Sequence, residues 1–373
     1  MEKMTSSQPP RLHGLDHLRA LAITLVLFFH YDKIFGHPQW FPALIDFGWT
    51  GVDLFFVLSG FLISTHLFAE AQDSGRISLK QFYLKRCFRI LPLYLVVVGI
   101  YFSFPPLRER EALPPLWKFL TFTQNLGINS RQFGTFSHAW SLCVEEHFYL
   151  ILPLILIGFL GRHLFKKLSF CLLTLFLSGF LIRYYIWSSL YLPKQKQAGG
   201  ASWHDLLYYP SYTRLDPLIV GISIAALCHF QPKVFEKITR HGNALILAGI
   251  LVLAGAYFYC TQFGTFSTTI FGFPVIALGY GLLVFGAVSP TCFLYQWNSK
   301  ITTFISTLSY ALYLSHKILI HSSQKMALAC GVEKNSTTMF LICLTFCVAG
   351  ALMLNLTVER PFLKWRGNFL RKT

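Results

Sequence analysis

The chain has 373 residues, 54% of them hydrophobic and only 13% charged, with a formal net charge of +16. That balance fits a chain whose solvent is mostly lipid and excludes an ordinary soluble globular domain. The basic residues lie mainly in connecting segments, where they orient spans, so the positive charge does not point to nucleic acid.

A membrane-spanning helix needs about 20 apolar residues. In chain order, ten segments come close to that length: about 15–31, 47–68, 90–104, 138–160, 168–190, 214–230, 243–262, 269–289, 304–325 and 336–358, the third and sixth being short. The expected fold is an all-α polytopic membrane protein with about ten transmembrane helices. The opening segment lacks a small-residue cleavage site and runs on into further spans, so it reads as a retained helix and not a removable signal peptide. With these boundaries the N-terminus, every second loop and the C-terminus hold 19 of the 32 Lys and Arg residues, which places both termini in the cytoplasm. Dense clusters carry that bias: Arg76, Lys80, Lys85, Arg86 and Arg89; Arg162, Lys166 and Lys167; Lys364, Arg366, Arg371 and Lys372.

The nine cysteines occur singly, apart from Cys343 and Cys347, so neither a disulfide framework nor a metal site is expected. No internal repeat stands out. One domain over 1–373 is the economical reading, with a core at about 13–361 and a basic cytoplasmic tail at 362–373. The longest loops, about 105–137 and 191–213, carry Trp117, Phe119, Phe122, Trp203, Tyr208 and Tyr209, which suit either aromatic platforms for a ligand or an interfacial belt.

Ionisable groups within spans are costly unless paired or facing a cavity, so each is a functional candidate. Sorted by the expected orientation, they collect at two levels. The outer level holds His30, Asp53, Glu145, Glu146, Arg214 and Asp216, with Trp140 beside Glu145; the inner level holds Arg19, Arg86, Arg89, Glu359 and Arg360. In RALAITLVLFFH, residues 19 to 30, the eleven-residue spacing leaves Arg19 and His30 within roughly 20° of one helical face and about 16 Å apart. In FYLKRCFRILP, Arg86 and Arg89 share a face at i and i+3 and stand where the third span begins, where free N–H groups and the helix dipole favour phosphate. A phosphate site inside, a groove through the membrane and an outer histidine suit a long, phosphate-headed donor such as a coenzyme A thioester. His30 then serves as general base toward an acceptor hydroxyl, with Asp53 or Glu145 fixing its tautomer. Tyr310 and His316 in SYALYLSH are lining candidates, although aromatic packing explains them as well; Tyr310 also offers a hydroxyl for a covalent intermediate. Glu359 and Arg360 read as an ion pair at a helix end.

Seven ordered stretches, GLDHLRALAITLVLFFH, GVDLFFVLSGFLIS, FYLKRCFRILPLY, HAWSLCVEEHFYLILP, TRLDPLIVG, ISTLSYALYLSHK and VERP, carry a resemblance over about residues 13–361 to integral membrane acyltransferases of the acyltransferase 3 family. That resemblance implies acyl transfer through Arg19 and His30, donor contact through Arg86 and Arg89, and site roles for Asp53, Trp140 and Glu145. It also implies acetyl-CoA as donor, a hydroxyl of a surface polysaccharide or lipid-linked sugar as acceptor, and a multi-pass location in the plasma (inner) membrane. Lys85, Cys143 and His147 depart from residues common in the family. A fused extracytoplasmic hydrolase-like domain is not expected. The alternative from the residues alone is a transporter or flippase for a sugar or lipid, because polar groups between helices also line permeation routes. The absence of inverted repeats and glycine-broken paired spans speaks against it.

Overall fold

The computed structural model describes residues 12–110, 112–161, 164–195, 202–260 and 264–370, and every secondary-structure element among them is helical. Arg162, Arg371 and Lys372 lie outside the described residues, as do 196–201 of the second long loop. Eleven helices of ten or more residues follow one another: α1 (His13–His30), α2 (Gly51–Ser74), α3 (Leu79–Ser103), α4 (Trp140–Phe159), α5 (Leu164–Ile186), α6 (Asp216–Phe230), α7 (Gly242–Tyr259), α8 (Phe273–Ala287), α9 (Lys300–Ala329), α10 (Thr337–Leu354) and α11 (Arg360–Leu370).

Each of the ten expected apolar segments coincides with one of α1 to α10. By length and composition seven stretches of described helix can cross a membrane, or eight if α6 and the short helix Pro232–Thr239, bent from it by 112°, form one span. α1 and α9 are outside that set, and they are the helices that bring His30, Arg19, His316 and Lys317 into the interior. Their polar side chains lower the mean apolarity of segments that are otherwise buried against neighbours.

The bundle is layered around α2, α6 and α8, whose side chains are mostly enclosed by other helices, while α5 and α7 turn most of theirs outward. Without a hydrophobic driving force between helices in lipid, small residues let backbones approach and gain dispersion contacts. Gly60 of α2 and Gly221 of α6 do this reciprocally: a Cβ on Gly60 would strike the backbone of Leu218, and one on Gly221 the backbone of Val57 and Phe61. That contact brings Asp53, one turn inside α2, to the start of α6.

The third segment departs from expectation. α3 begins at Leu79, with Ser78 as N-cap accepting from the Gln81 N–H at 3.4 Å. Arg86 and Arg89 therefore sit about two turns inside the helix, where backbone N–H groups are already bonded, and the free helix terminus contributes nothing to them. Apolarity alone missed those turns because LKQFYLKRC is amphipathic and basic. The described part of the expected basic tail belongs to α11, which continues from α10 through the π-turn Asn355–Glu359 and packs against α3, with the Phe88 and Phe369 rings 6.0 Å apart.

Candidate active site

α1 ends at His30, and a π-turn at Tyr31–Phe35 carries the chain away, so the imidazole projects from the last helical turn into a cavity of about 370 Å³. Its walls come from α1 (Val26, His30), the connection before α4 (Ser137, His138), α4 (Trp140), the loop before α6 (His204, Tyr208, Tyr209) and α9 (Tyr313, Lys317). Lys33, Glu109 and Arg110 complete the rim.

Three histidines from distant parts of the chain meet here. His30 Nδ1 lies 3.0 Å from His316 Nε2, and the His138 ring is 4.7 Å from that of His316 and 5.9 Å from that of His30. The bonding pattern assigns the protons. His316 Nδ1 is 3.1 Å from the Leu312 carbonyl oxygen and 2.9 Å from that of Tyr313, and carbonyls only accept, so this nitrogen carries hydrogen. In a neutral ring Nε2 is then the acceptor, and His30 Nδ1–H donates to it. His30 Nε2 is left with a free lone pair.

The expected carboxylate partner is absent from this arrangement. Asp53 Oδ1 accepts from Arg214 Nη2 at 2.8 Å, both side chains being fully buried, and the Arg214 guanidinium is packed against Phe273 at 4.0 Å, Tyr208 at 4.7 Å and Trp140 at 5.5 Å. A second buried pair stands behind it, with Arg183 donating twice to Asp216 at 2.5 and 3.1 Å. Buried pairs of this kind satisfy each other's charge and hold helices in register. Asp53, Arg214 and Asp216 thus tie α2, α5 and α6 together beneath Trp140 and Tyr208. Burial pushes the His204 imidazole in the adjacent loop down to about 4, so that ring stays neutral at physiological pH.

Glu145 belongs to a different place. It lines a larger cavity of about 820 Å³ with Arg19 of α1, Ser59 and His66 of α2, Lys85, Arg86 and Arg89 of α3, Tyr149 of α4, Tyr310 of α9 and Arg366 of α11. Tyr149 donates to Ser59 at 3.2 Å, and Ser59 donates to Glu145 at 2.6 Å. Arg19 is 3.6 Å from Asp16, and Lys85 meets the His66 ring at 3.2 Å. Arg89 bonds Glu359 at 2.5 Å, so Glu359 pairs across to α3 and not with its neighbour Arg360, whose side chain is exposed. Tyr310 donates to the Ile90 carbonyl at 2.8 Å. Glu146 lines a third cavity of about 190 Å³ beside Arg86.

The histidine and arginine cavities share one residue, Tyr313. Its hydroxyl donates to the His138 carbonyl at 2.6 Å and accepts from Ser141 at 2.5 Å. Arg19 and His30, on one face of α1, thus open into separate chambers with a tyrosine hydroxyl between them.

A family model described as an acyltransferase domain matches residues 12–356, nearly the whole chain. The chain belongs to the acyltransferase 3 family. The O-acetyltransferase OatA of Staphylococcus aureus strain NCTC 8325 / PS 47 is 29% identical over 340 residues, covering 86% of this chain and 52% of that protein. OatA of strain COL aligns with the same identity and coverage. The chain spans about half the length of the curated relatives it matches. No solved structure matches.

Within this acyltransferase domain, the three positions expected to depart from common family residues are accommodated locally. Lys85 faces the arginine cavity, Cys143 packs with its Sγ 3.7 Å from the Ala139 carbonyl, and His147 bonds the Ser211 hydroxyl at 2.7 Å. Of the loop aromatics, Tyr208 and Tyr209 reach the histidine cavity, and Trp203 stacks behind Tyr208 with ring centroids 5.5 Å apart. Phe119 is instead buried in an aromatic layer with Phe136, and Trp117 is exposed. The sequence reading missed His138, Tyr313 and Lys317 as site residues, although all three lie within stretches quoted for the family. Lys317 is buried and donates to Ser137 Oγ at 3.2 Å. A cation in the middle of an apolar helix was the signal that could have found it.

Proposed function

We propose that this protein is a multi-pass membrane O-acyltransferase moving an acetyl group from acetyl-CoA to a hydroxyl of a surface polysaccharide or lipid-linked sugar. The observation that carries the reading is the His316-to-His30 hydrogen bond at the wall of one cavity that adjoins, through Tyr313, a second cavity rich in guanidinium groups. The phosphate-bearing head of the donor occupies the arginine cavity, held by Arg86 and Arg89 through charge-assisted hydrogen bonds. Arg19 lies along its path. The acyl end passes Tyr313 toward His30, and the acceptor sugar stacks on the Trp140, Tyr208 and Tyr209 wall.

His30 Nε2 takes the proton of the acceptor hydroxyl as its oxygen attacks the thioester carbonyl. The C–S bond breaks on collapse of the tetrahedral intermediate, and the leaving thiolate recovers the proton from the imidazolium. His316 acts by holding His30 in the tautomer that presents Nε2, a task that falls to a carboxylate in hydrolase triads. Lys317, buried beside this cluster, is suited to stabilise the oxyanion. The positive-inside bias of the sequence sets the arginine cavity toward the cytoplasm and the histidine cavity toward the outer face of the plasma (inner) membrane.

The test uses full-length protein in nanodiscs with acetyl-labelled acetyl-CoA, alongside mass spectrometry of surface glycans from cells with and without the gene. Acetyl release or transfer by the parent and its loss in His30→Ala are expected, together with a missing acetyl increment on a glycan. A His30→Ala protein as active as the parent would overturn the assignment of the base.

A further inference from the structure

The charges around the arginine cavity do not balance. Five cationic side chains line it, Arg19, Lys85, Arg86, Arg89 and Arg366, against one lining carboxylate, Glu145, which is already engaged by Ser59. Arg89 has Glu359, but among the described residues neither Arg86 nor Arg366 makes an ion pair, and the Arg86 Nε is buried without a partner. Arg366 lies close enough to the guanidinium groups of Arg89 and Arg86 to feel their charge. Like charges brought together at a partly desolvated site repel, and beyond the Glu145 and Glu146 carboxylates near Arg86 a bound polyanion would relieve that repulsion.

Arg366 is there because α11, running on from α10 through the π-turn Asn355–Glu359, packs against α3 and lays Leu363, Arg366, Gly367 and Leu370 along the cavity wall. The helix had other ways to present its basic residues, since Arg360 and Lys364 are exposed. The match to the family model ends at residue 356, before α11 begins. We propose that α11 is a working wall of the donor site, in which Arg366 binds the phosphates of the donor's nucleotide head together with Arg86 and Arg89. This rests on the reading of the arginine cavity as the coenzyme A site.

The experiment measures binding of coenzyme A and of dephospho-coenzyme A by calorimetry to the full chain in phosphatidylcholine nanodiscs. Charge-assisted contacts to phosphate predict that Arg366→Ala weakens coenzyme A binding about tenfold, with Arg366→Lys in between and Arg366→Glu weakest. The ligand-free melting temperature stays at the parent value, KM for the donor rises and kcat at saturating donor is unchanged. If the loss seen with coenzyme A disappears with the dephospho form, the contact is to the 3′-phosphate; if it persists, to the pyrophosphate, and either pattern supports the proposal. Parent and Arg366→Ala binding coenzyme A equally would overturn it and leave the donor reading standing. An effect of Arg366→Ala that requires phosphatidylglycerol in the disc would make the anion a lipid headgroup, and the proposal falls. A parent that fails to bind coenzyme A at millimolar concentration removes the donor reading itself, and this inference with it.

Discussion

The two cavities on either side of Tyr313 are built on different electrostatic plans. In the histidine cavity three imidazoles, backbone carbonyls and aromatic faces share the wall with Lys33, Glu109, Arg110 and the buried Lys317, and the Asp53 and Asp216 carboxylates are locked to arginines behind it. In the arginine cavity cations outnumber the lining carboxylate, and among the described residues Arg86 and Arg366 make no ion pair. The difference teaches what each chamber tolerates. A neutral, oriented imidazole beside aromatic faces suits proton transfer with a polyol, whereas a cluster of guanidinium groups suits a polyanion.

The sharpest way to break that comparison is to remove the base. His30→Ala is expected to lower acetyl transfer by about 10² to 10⁴-fold, the usual contribution of a positioned general base, while coenzyme A affinity stays at the parent value. A parallel loss of donor affinity, read by calorimetry, would mean the chambers are not separable. The buried pair beneath the histidine cavity tests its foundation. Asp53→Ala leaves Arg214 charged and unpaired in the interior and should destabilise the fold by about 3–5 kcal/mol, read as a lower melting temperature in nanodiscs. Asp53→Asn with unchanged melting and lost transfer would instead make Asp53 part of the chemistry.

A smaller effect is expected at the residue that orients the base. His316→Leu should reduce transfer about 10²-fold through loss of the His30 tautomer, and His316→Gln, whose amide oxygen still accepts, should recover part of it. The accompanying readout is the pH–rate profile: with His316 removed, either His30 nitrogen can hold the proton, and the acidic limb of the profile should move. Equal activity of the Leu and Gln variants would reduce His316 to packing. Smallest of all, Tyr313→Phe removes two hydrogen bonds, each worth about 1 kcal/mol, without changing the ring. Hydrolysis of acetyl-CoA in the absence of acceptor should rise several-fold, because the barrier between the chambers is loosened. Unchanged hydrolysis would mean that the ring, and not the hydroxyl chain through Ser141 and His138, separates them.

Much of this layout is legible in the sequence because it depends on local periodicity. The eleven-residue spacing put Arg19 and His30 on one face of α1, where a shared groove was expected and two adjoining cavities are found, and Arg86 and Arg89 reach the same cavity as an i, i+3 pair should. Pairings between helices follow no such rule. Asp53 and Glu145 were candidates for the partner of His30 because they share its expected depth. Depth leaves rotation about the helix axis open: Asp53 turns toward Arg214 and Glu145 toward Ser59.

By itself, then, the sequence determined the helical class, the ten apolar segments, the motifs of the family and the common face of Arg19 and His30, all consequences of a 1.5 Å rise and 100° turn per residue. The tertiary structure alone decided that a histidine 286 residues away orients His30, that Glu359 pairs with Arg89 of α3, and that α11 brings Arg366 to the same cavity. Those contacts depend on how helices rotate and pack against one another. Interhelical packing in lipid is set by small residues such as Gly60 and Gly221 and by buried ion pairs, and neither leaves a periodic trace along the chain.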